Sequence, residues 1–144
     1  MENYKTIVVA VDLHENCDQA ATEKAVALAK EHQAKLIFVH AVEHINAYGV
    51  AAAYTTIINV EEILLEQARK GLDDLTKKYK VADAEKIIEI GSPKMIIIDL
   101  AKKKKADLIV LGSHGRHGFG LLLGSTANAV LHNAPCDVLA VRVK

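Results

Sequence analysis

Apolar residues along this chain follow two alternating rhythms. Thr6–Leu13 (TIVVAVDL), Ala34–Val42 (AKLIFVHAV) and Ala106–Ser113 (ADLIVLGS) are nearly continuous apolar runs. Such runs fit strands covered on both faces, as in a parallel sheet. Lys86–Ile90 (KIIEI) and Cys136–Val143 (CDVLAVRV) read as two further strands. Between the runs the period changes to that of a helix. Ala21, Ala25, Leu28, Ala29 and His32 form one stripe, which predicts a helix over about 17–33. Val60, Ile63, Leu64, Gln67, Ala68, Gly71, Leu72, Leu75 and Tyr79 form another, over about 58–80. Asn59 with Glu62 reads as its N-cap pair, and Gly71 as a point of close helix–sheet approach. Gly91-Ser92-Pro93 opens a third helix, with Ser92 as cap and Pro93 at the first helical position; Ile96, Ile97, Leu100 and Ala101 follow at helical spacing. A fourth helix over about 124–133 stops at Asn133-Ala134-Pro135. Residues 43–56 read as a polar, partly mobile connection.

Strands alternating with helices build right-handed βαβ units. The expected fold is α/β: one open-sheet, Rossmann-like domain over residues 1–144, with five mainly parallel strands and about four helices on both faces. Folding at this length buries roughly 68–70% of the chain's surface, enough for a core without metals or disulfides. Aromatics are 4% with no Trp, so that core is aliphatic.

Charge and cysteine content narrow the function. Lys+Arg and Asp+Glu are both 18, so the basic excess of a duplex-binding protein is missing. The scarcity of aromatics also argues against stacking on single strands. No nucleic-acid partner is expected. Lys102–Lys105 reads as a solvated helix end. Cys17 and Cys136 make no disulfide framework; both are expected as reduced thiols, Cys136 as a small core residue. No apolar run reaches membrane-spanning length and no leader is visible. No membrane partner is expected, and the cytoplasm is the expected compartment.

Candidate chemistry collects where strands end. In an open α/β sheet, ligands bind beyond the carboxyl ends of the strands, near the switch in strand order. Asp12 ends the first run, His40 and Ala41 the second, and the stretch Gly112–Thr126 (GSHGRHGFGLLLGST) follows the fourth. This stretch holds five of the chain's eight glycines and no acid, which suits an anionic guest. Glycines let backbone approach a ligand closely, and amides at a helix start, with its dipole, favour negative charge. Ser125 and Thr126 add hydroxyls, Arg116 a fixed cation, and His114 and His117 further donors. Charge-assisted hydrogen bonds contribute roughly 1.5–3 kcal/mol each, so three or four support about micromolar binding. A plain turn-rich loop is the alternative, as is a structural role for Asp12 at a strand corner. His40, within an apolar run, reads as a satisfied sheet histidine. The loop is neither a Walker loop nor a dinucleotide fingerprint. The histidines lack metal-ligand spacing, and no nucleophile elbow exists.

These residues carry a family resemblance. "DLIVLGSHGRHG" and "LLLGSTANAVLHNAPCDVLAVR" resemble the C-terminal third of the universal stress protein family. "TIVVAVDL" is similar to its first strand, and the element order matches throughout. The resemblance implies that Gly112, Gly115, Gly124, Ser125 and Thr126 hold the phosphates and ribose of ATP, AMP or another adenine nucleotide. His114 and Arg116 lie in the same cradle. Asp12 and the Ala10 backbone would meet base or ribose, the Ala41 backbone the adenine edge, and Leu111 would line that pocket. Mg²⁺ would arrive with the nucleotide and not on protein ligands. The spacer Arg116–Leu123 is eight residues, one fewer than is usual, which leaves ATP against ADP or AMP open. The resemblance also implies a homodimer through the apolar edge strand 137–143, whose pairing would cover an aggregation-prone edge. The expected role is a stress-response sensor or regulator. The alternatives are a slow nucleotide hydrolase or phosphotransferase on the same scaffold, and a nucleotide-independent interaction module.

Overall fold

The computed structural model describes residues 3–14, 17–43, 54–114 and 123–143, and for residues 54–59 the backbone alone. Five aliphatic runs become strands: β1 (Thr6–Ala10), β2 (Lys35–Val42), β3 (Glu85–Ile90), β4 (Leu108–Gly112) and β5 (Asp137–Val141). Four helices alternate with them: α1 (Gln19–His32), α2 (Tyr54–Lys78), α3 (Pro93–Lys103) and α4 (Ser125–Asn133). The strands form one sheet in the order β3-β2-β1-β4-β5, and every neighbouring pair is parallel.

Alternation along each strand sends side chains to two separate cores. Val8, Ile37, Val39, Ile109 and Leu111 face α3 and α4, packing on Ile96, Ile97, Leu100, Ala127 and Val130. Ile7, Val9, Leu36, Phe38, Leu108 and Val110 face the other way, onto Ala21, Ala25, Ala29 and Leu72 of α1 and α2. Full burial of an aliphatic side chain contributes about 1.5–3 kcal/mol, so the three central strands carry the fold. Cys136 packs against the α3/α4 core and is half-buried, and that burial pushes its thiol pKa up.

Several boundaries differ from the sequence reading. α2 begins at Tyr54, which puts Asn59 inside the helix and not at its cap. Its predicted stripe is buried only toward the far end: Ala68 and Leu72 are covered, as is Thr76, which lay outside the stripe, while Val60 and Ile63 are 37% and 55% exposed and Gln67 is exposed. A stripe reports a face; it does not report how far the sheet extends beneath it. Gly71 meets the Leu13 side chain, beyond the end of β1, and not a strand. Ser92 does occupy the N-cap of α3 ahead of Pro93, but its hydroxyl makes no capping bond. The lysine run does end a helix, and Lys104 turns back to Glu85, 2.8 Å away, which Lys35 also reaches at 2.9 Å. The two lysines hold the Glu85 carboxyl below the usual carboxylate range. Much of the connection 43–56 lies outside the described residues.

Strand order places the site. From β1 the chain moves to β2 and β3 on one side, then crosses to β4 and β5 on the other. The connections after β1 and β4 therefore leave in opposite directions and part above the sheet.

Candidate functional site

A cleft of about 260 Å³ opens at that parting. Its walls include Ala10 at the end of β1 and Asp12 after it, Ala41 at the end of β2, and Leu111 and Gly112 at the end of β4 with His114 after it. Gly124, Ser125 and Thr126 at the start of α4 close the far side. Every predicted site residue within the described residues thus lines one cavity. Gly115, Arg116 and His117 lie outside the described residues.

The far side is a rim of open donors. Gly124 is the N-cap of α4 and has no side chain to cap with. The first amides of a helix have no intrahelical acceptor, and those of Ser125, Thr126 and Ala127 show no backbone acceptor among the described residues. Gly124 has φ −62° and ψ 155°, which any residue adopts. Glycine there provides space, not a special backbone angle. Gly112 is tight for a different reason: a Cβ on it would stand 2.8 Å from Val143 Cγ2. Two short bonds fix the rim. Gly124 N–H donates to the Ser113 carbonyl at 2.7 Å, and Ser113 N–H to the Val141 carbonyl at 2.7 Å. Ser113 Oγ shares a 2.9 Å hydrogen bond with His114 Nδ1. His114 Nε2 is buried and has no partner among the described residues.

The near side is closed in on itself. Val11 N–H donates to the Val39 carbonyl at 3.0 Å, so the β1–β2 pairing runs one residue past the strand. His40 Nδ1 donates to the Val11 carbonyl at 2.8 Å, so the sheet histidine is satisfied as expected, by a backbone partner that the sequence did not indicate. Leu13 then turns left-handed, at φ 57°. Such a conformation costs a non-glycine residue about 1–3 kcal/mol. Asp18 holds the turn, accepting from Asp12 N–H at 2.8 Å and Leu13 N–H at 2.7 Å. This turn ends β1 at Ala10, earlier than the apolar run suggested. Burial raises the Asp18 carboxyl to about 6, although the two amides pull it down. Cys17, also in the cleft wall, has its thiol pushed up by burial and by Asp18 and Asp12.

Asp18, Cys17, Glu43, Pro93 and Ile97 line the cleft and were not among the predicted site residues. Asp18 had a usable signal, an acid at the foot of a predicted helix that follows a strand-ending Asp; the others had none. Among the described residues no cluster of three or more His, Cys, Asp or Glu is placed to hold a metal ion. Both Asp18 oxygens are already engaged, so a cation here would rest mainly on the oxygens of a guest.

An open parallel sheet with a cleft at its switch point defines an α/β ligand-binding domain. Within that class, the chain belongs to the universal stress protein family, which it matches over residues 3–142. Universal stress protein A homolog 2 of Coxiella burnetii is 46% identical over 144 residues, covering 100% of this chain and 99% of its own. The solved structure of universal stress protein UspA from Lactobacillus plantarum has a TM-score of 0.85 and 31% identity, over 97% of this chain and 99% of that one. A universal stress protein solved in complex with cAMP has a TM-score of 0.66 and 29% identity, over 99% of each chain. Among the described residues no helix is long and apolar enough to cross a membrane.

Proposed function

We propose that this protein binds an adenine nucleotide, ATP or AMP, in the cleft and acts as a homodimeric cytoplasmic sensor or regulator. The whole chain, residues 1–144, is taken as one such domain. The observation that carries the reading is convergence. Ala10, Asp12, Ala41, Leu111, Gly112, His114, Gly124, Ser125 and Thr126, read from separate stretches, line one cavity. The related structure in complex with cAMP supports the ligand class.

The chemistry divides along the cleft. The amides at the start of α4, with the hydroxyls of Ser125 and Thr126, take phosphate. Ser113 Oγ accepts a long contact from Val143 N–H, 3.4 Å, which leaves its own hydrogen for His114 Nδ1. A neutral His114 then carries its proton on Nε2, as a donor to the anion. Gly115 and Arg116 complete this end. Asp12 takes a ribose hydroxyl, and the Ala10 and Ala41 backbone with Leu111 borders the base. Mg²⁺, where present, rides on the phosphates. The dimer forms through β5, which is an edge of the sheet and so carries an outer row of backbone groups open to pairing.

Ligand released by heat from the purified protein, identified by nucleotide chromatography, tests the reading. AMP or ATP at about one per chain supports it. No released ligand together with no calorimetric heat from ATP, ADP, AMP or cAMP overturns it in favour of an interaction module. Steady phosphate release above a Gly124→Val control would assign turnover instead. Sedimentation at micromolar concentration tests the dimer, and a monomer removes it.

A further inference from the structure

Asp18 stands at the N-cap of α1 but makes no capping bond. Asp is among the residues best suited to that bond, so its side chain has been diverted from it. The carboxylate reaches back to the turn after β1, and each oxygen takes one amide, those of Asp12 and Leu13. Leu13 is left-handed, a state that persists only where surroundings enforce it. Asp18 also stands between two cavities: the cleft, and a pocket of about 250 Å³ that reaches Gly71, Asp74 and Tyr79.

We infer that Asp18 is a positioning residue for the cleft: by gripping both amides of the turn, it fixes Asp12 where the adenosine end of a ligand meets it. This rests on the nucleotide reading above. Asp18 touches no ligand in this scheme and acts through Asp12.

A carboxylate in this role makes recognition depend on pH. Among the described residues, the titratable groups facing it or sharing its pockets include Asp12, His14 and Cys17 from the connection after β1, His40 from β2, Glu43 just after β2, Asp74 and Lys78 from the end of α2, and Tyr79 just beyond it. Burial raises Asp18 to about 6; Asp12 adds to the rise and His40 opposes it. Below that pH one oxygen gains a proton and stops accepting. The turn then keeps one charge-free bond in place of two charge-assisted ones, and Asp12 is released.

Titration calorimetry of the full chain with adenosine, at about pH 7.5 and about pH 5, tests this, because adenosine has no phosphate to protonate. Wild-type affinity should fall about fivefold on acidification, the scale of one weakened charge-assisted bond. Asp18→Asn should bind weakly at both pH values, with a ratio near one and an unchanged circular dichroism spectrum. In an Asp12→Ala background, Asp18→Asn should cost nothing further. Equal pH ratios in wild type and Asp18→Asn, or additive losses in the double variant, overturn the role of Asp18. If Asp18→Asn does not fold, Asp12→Ala alone decides: a flat pH profile supports the role and a persisting fivefold ratio overturns it. Failure of adenosine, AMP and ATP alike to bind wild type at either pH overturns the nucleotide reading itself, a result distinct from binding with the wrong pH profile.

Discussion

At the Asp12 end of the cleft, side chains of the protein itself tie down the backbone. His40 donates to Val11, and Asp18 accepts from Asp12 and Leu13. At the Gly124 end the opposite holds: α4 begins on a glycine that makes no side-chain cap, and His114 Nε2 is buried without a partner among the described residues. The first end is self-satisfied and offers shape plus one acid. The second holds unspent donors and gains most from an anion. Buried polar groups without partners are costly, so a ligand that supplies acceptors there recovers energy that folding left unclaimed.

The largest test of this contrast is Gly124→Asp. Its backbone angles suit any residue, so the carboxylate should cap α4 and add a few tenths of a kcal/mol of stability. It should also occupy the phosphate rim and repel an anion, weakening AMP about a hundredfold by calorimetry while adenosine changes little. Equal loss for both ligands would mean that the two ends are not separate.

Next comes the burial cost at the acid end. Asp18 is raised to about 6 when folded, against about 3.9 for an ordinary Asp. The folded state therefore keeps a proton that the unfolded state has released between those values. The stability from this group is full below about pH 4 and is lost as pH rises toward about 6. Urea unfolding across that window should show wild type losing about 2 kcal/mol relative to Asp18→Asn. A parallel pair of curves would remove the burial cost.

Asp12→Ala should weaken adenosine about tenfold and leave inorganic triphosphate nearly unchanged, since only the sugar or base loses a partner. Matching losses would move Asp12 to the phosphate end. Gly71→Ala is the smallest. Its new Cβ meets Leu13 Cδ1 at 3.3 Å, which offsets a helix-propensity gain of about 0.8–1 kcal/mol. A net change under about 0.5 kcal/mol, with adenosine affinity within about twofold, would show that the turn is held by Asp18 and not by this contact.

What the sequence disclosed follows from what each signal measures. The three central strands were legible because Ile7–Val9, Ile37–Val39 and Ile109–Val110 are covered on both faces and so lack polar alternation. The cleft lining at the end of β4 and the start of α4 was legible because glycines with no acid nearby leave few other uses. Asn59 misled because an Asn–x–x–Glu pattern looks the same inside a helix as at its start. Asp18 went unseen because a helix-capping Asp is ordinary; only the fold shows its carboxylate facing backward. Gly112 was read as a glycine that lets backbone approach a ligand; the fold adds that Val143 packing leaves no room for a Cβ there.

Ser113 has one hand on the histidine of the rim and the other on the last strand, through the Val141 carbonyl and the Val143 amide. The outer border of the sheet and the anion rim are thereby mechanically in series. A chain laid along that border, or removal of the residues after Val141, would act on the same serine that hydrogen-bonds His114.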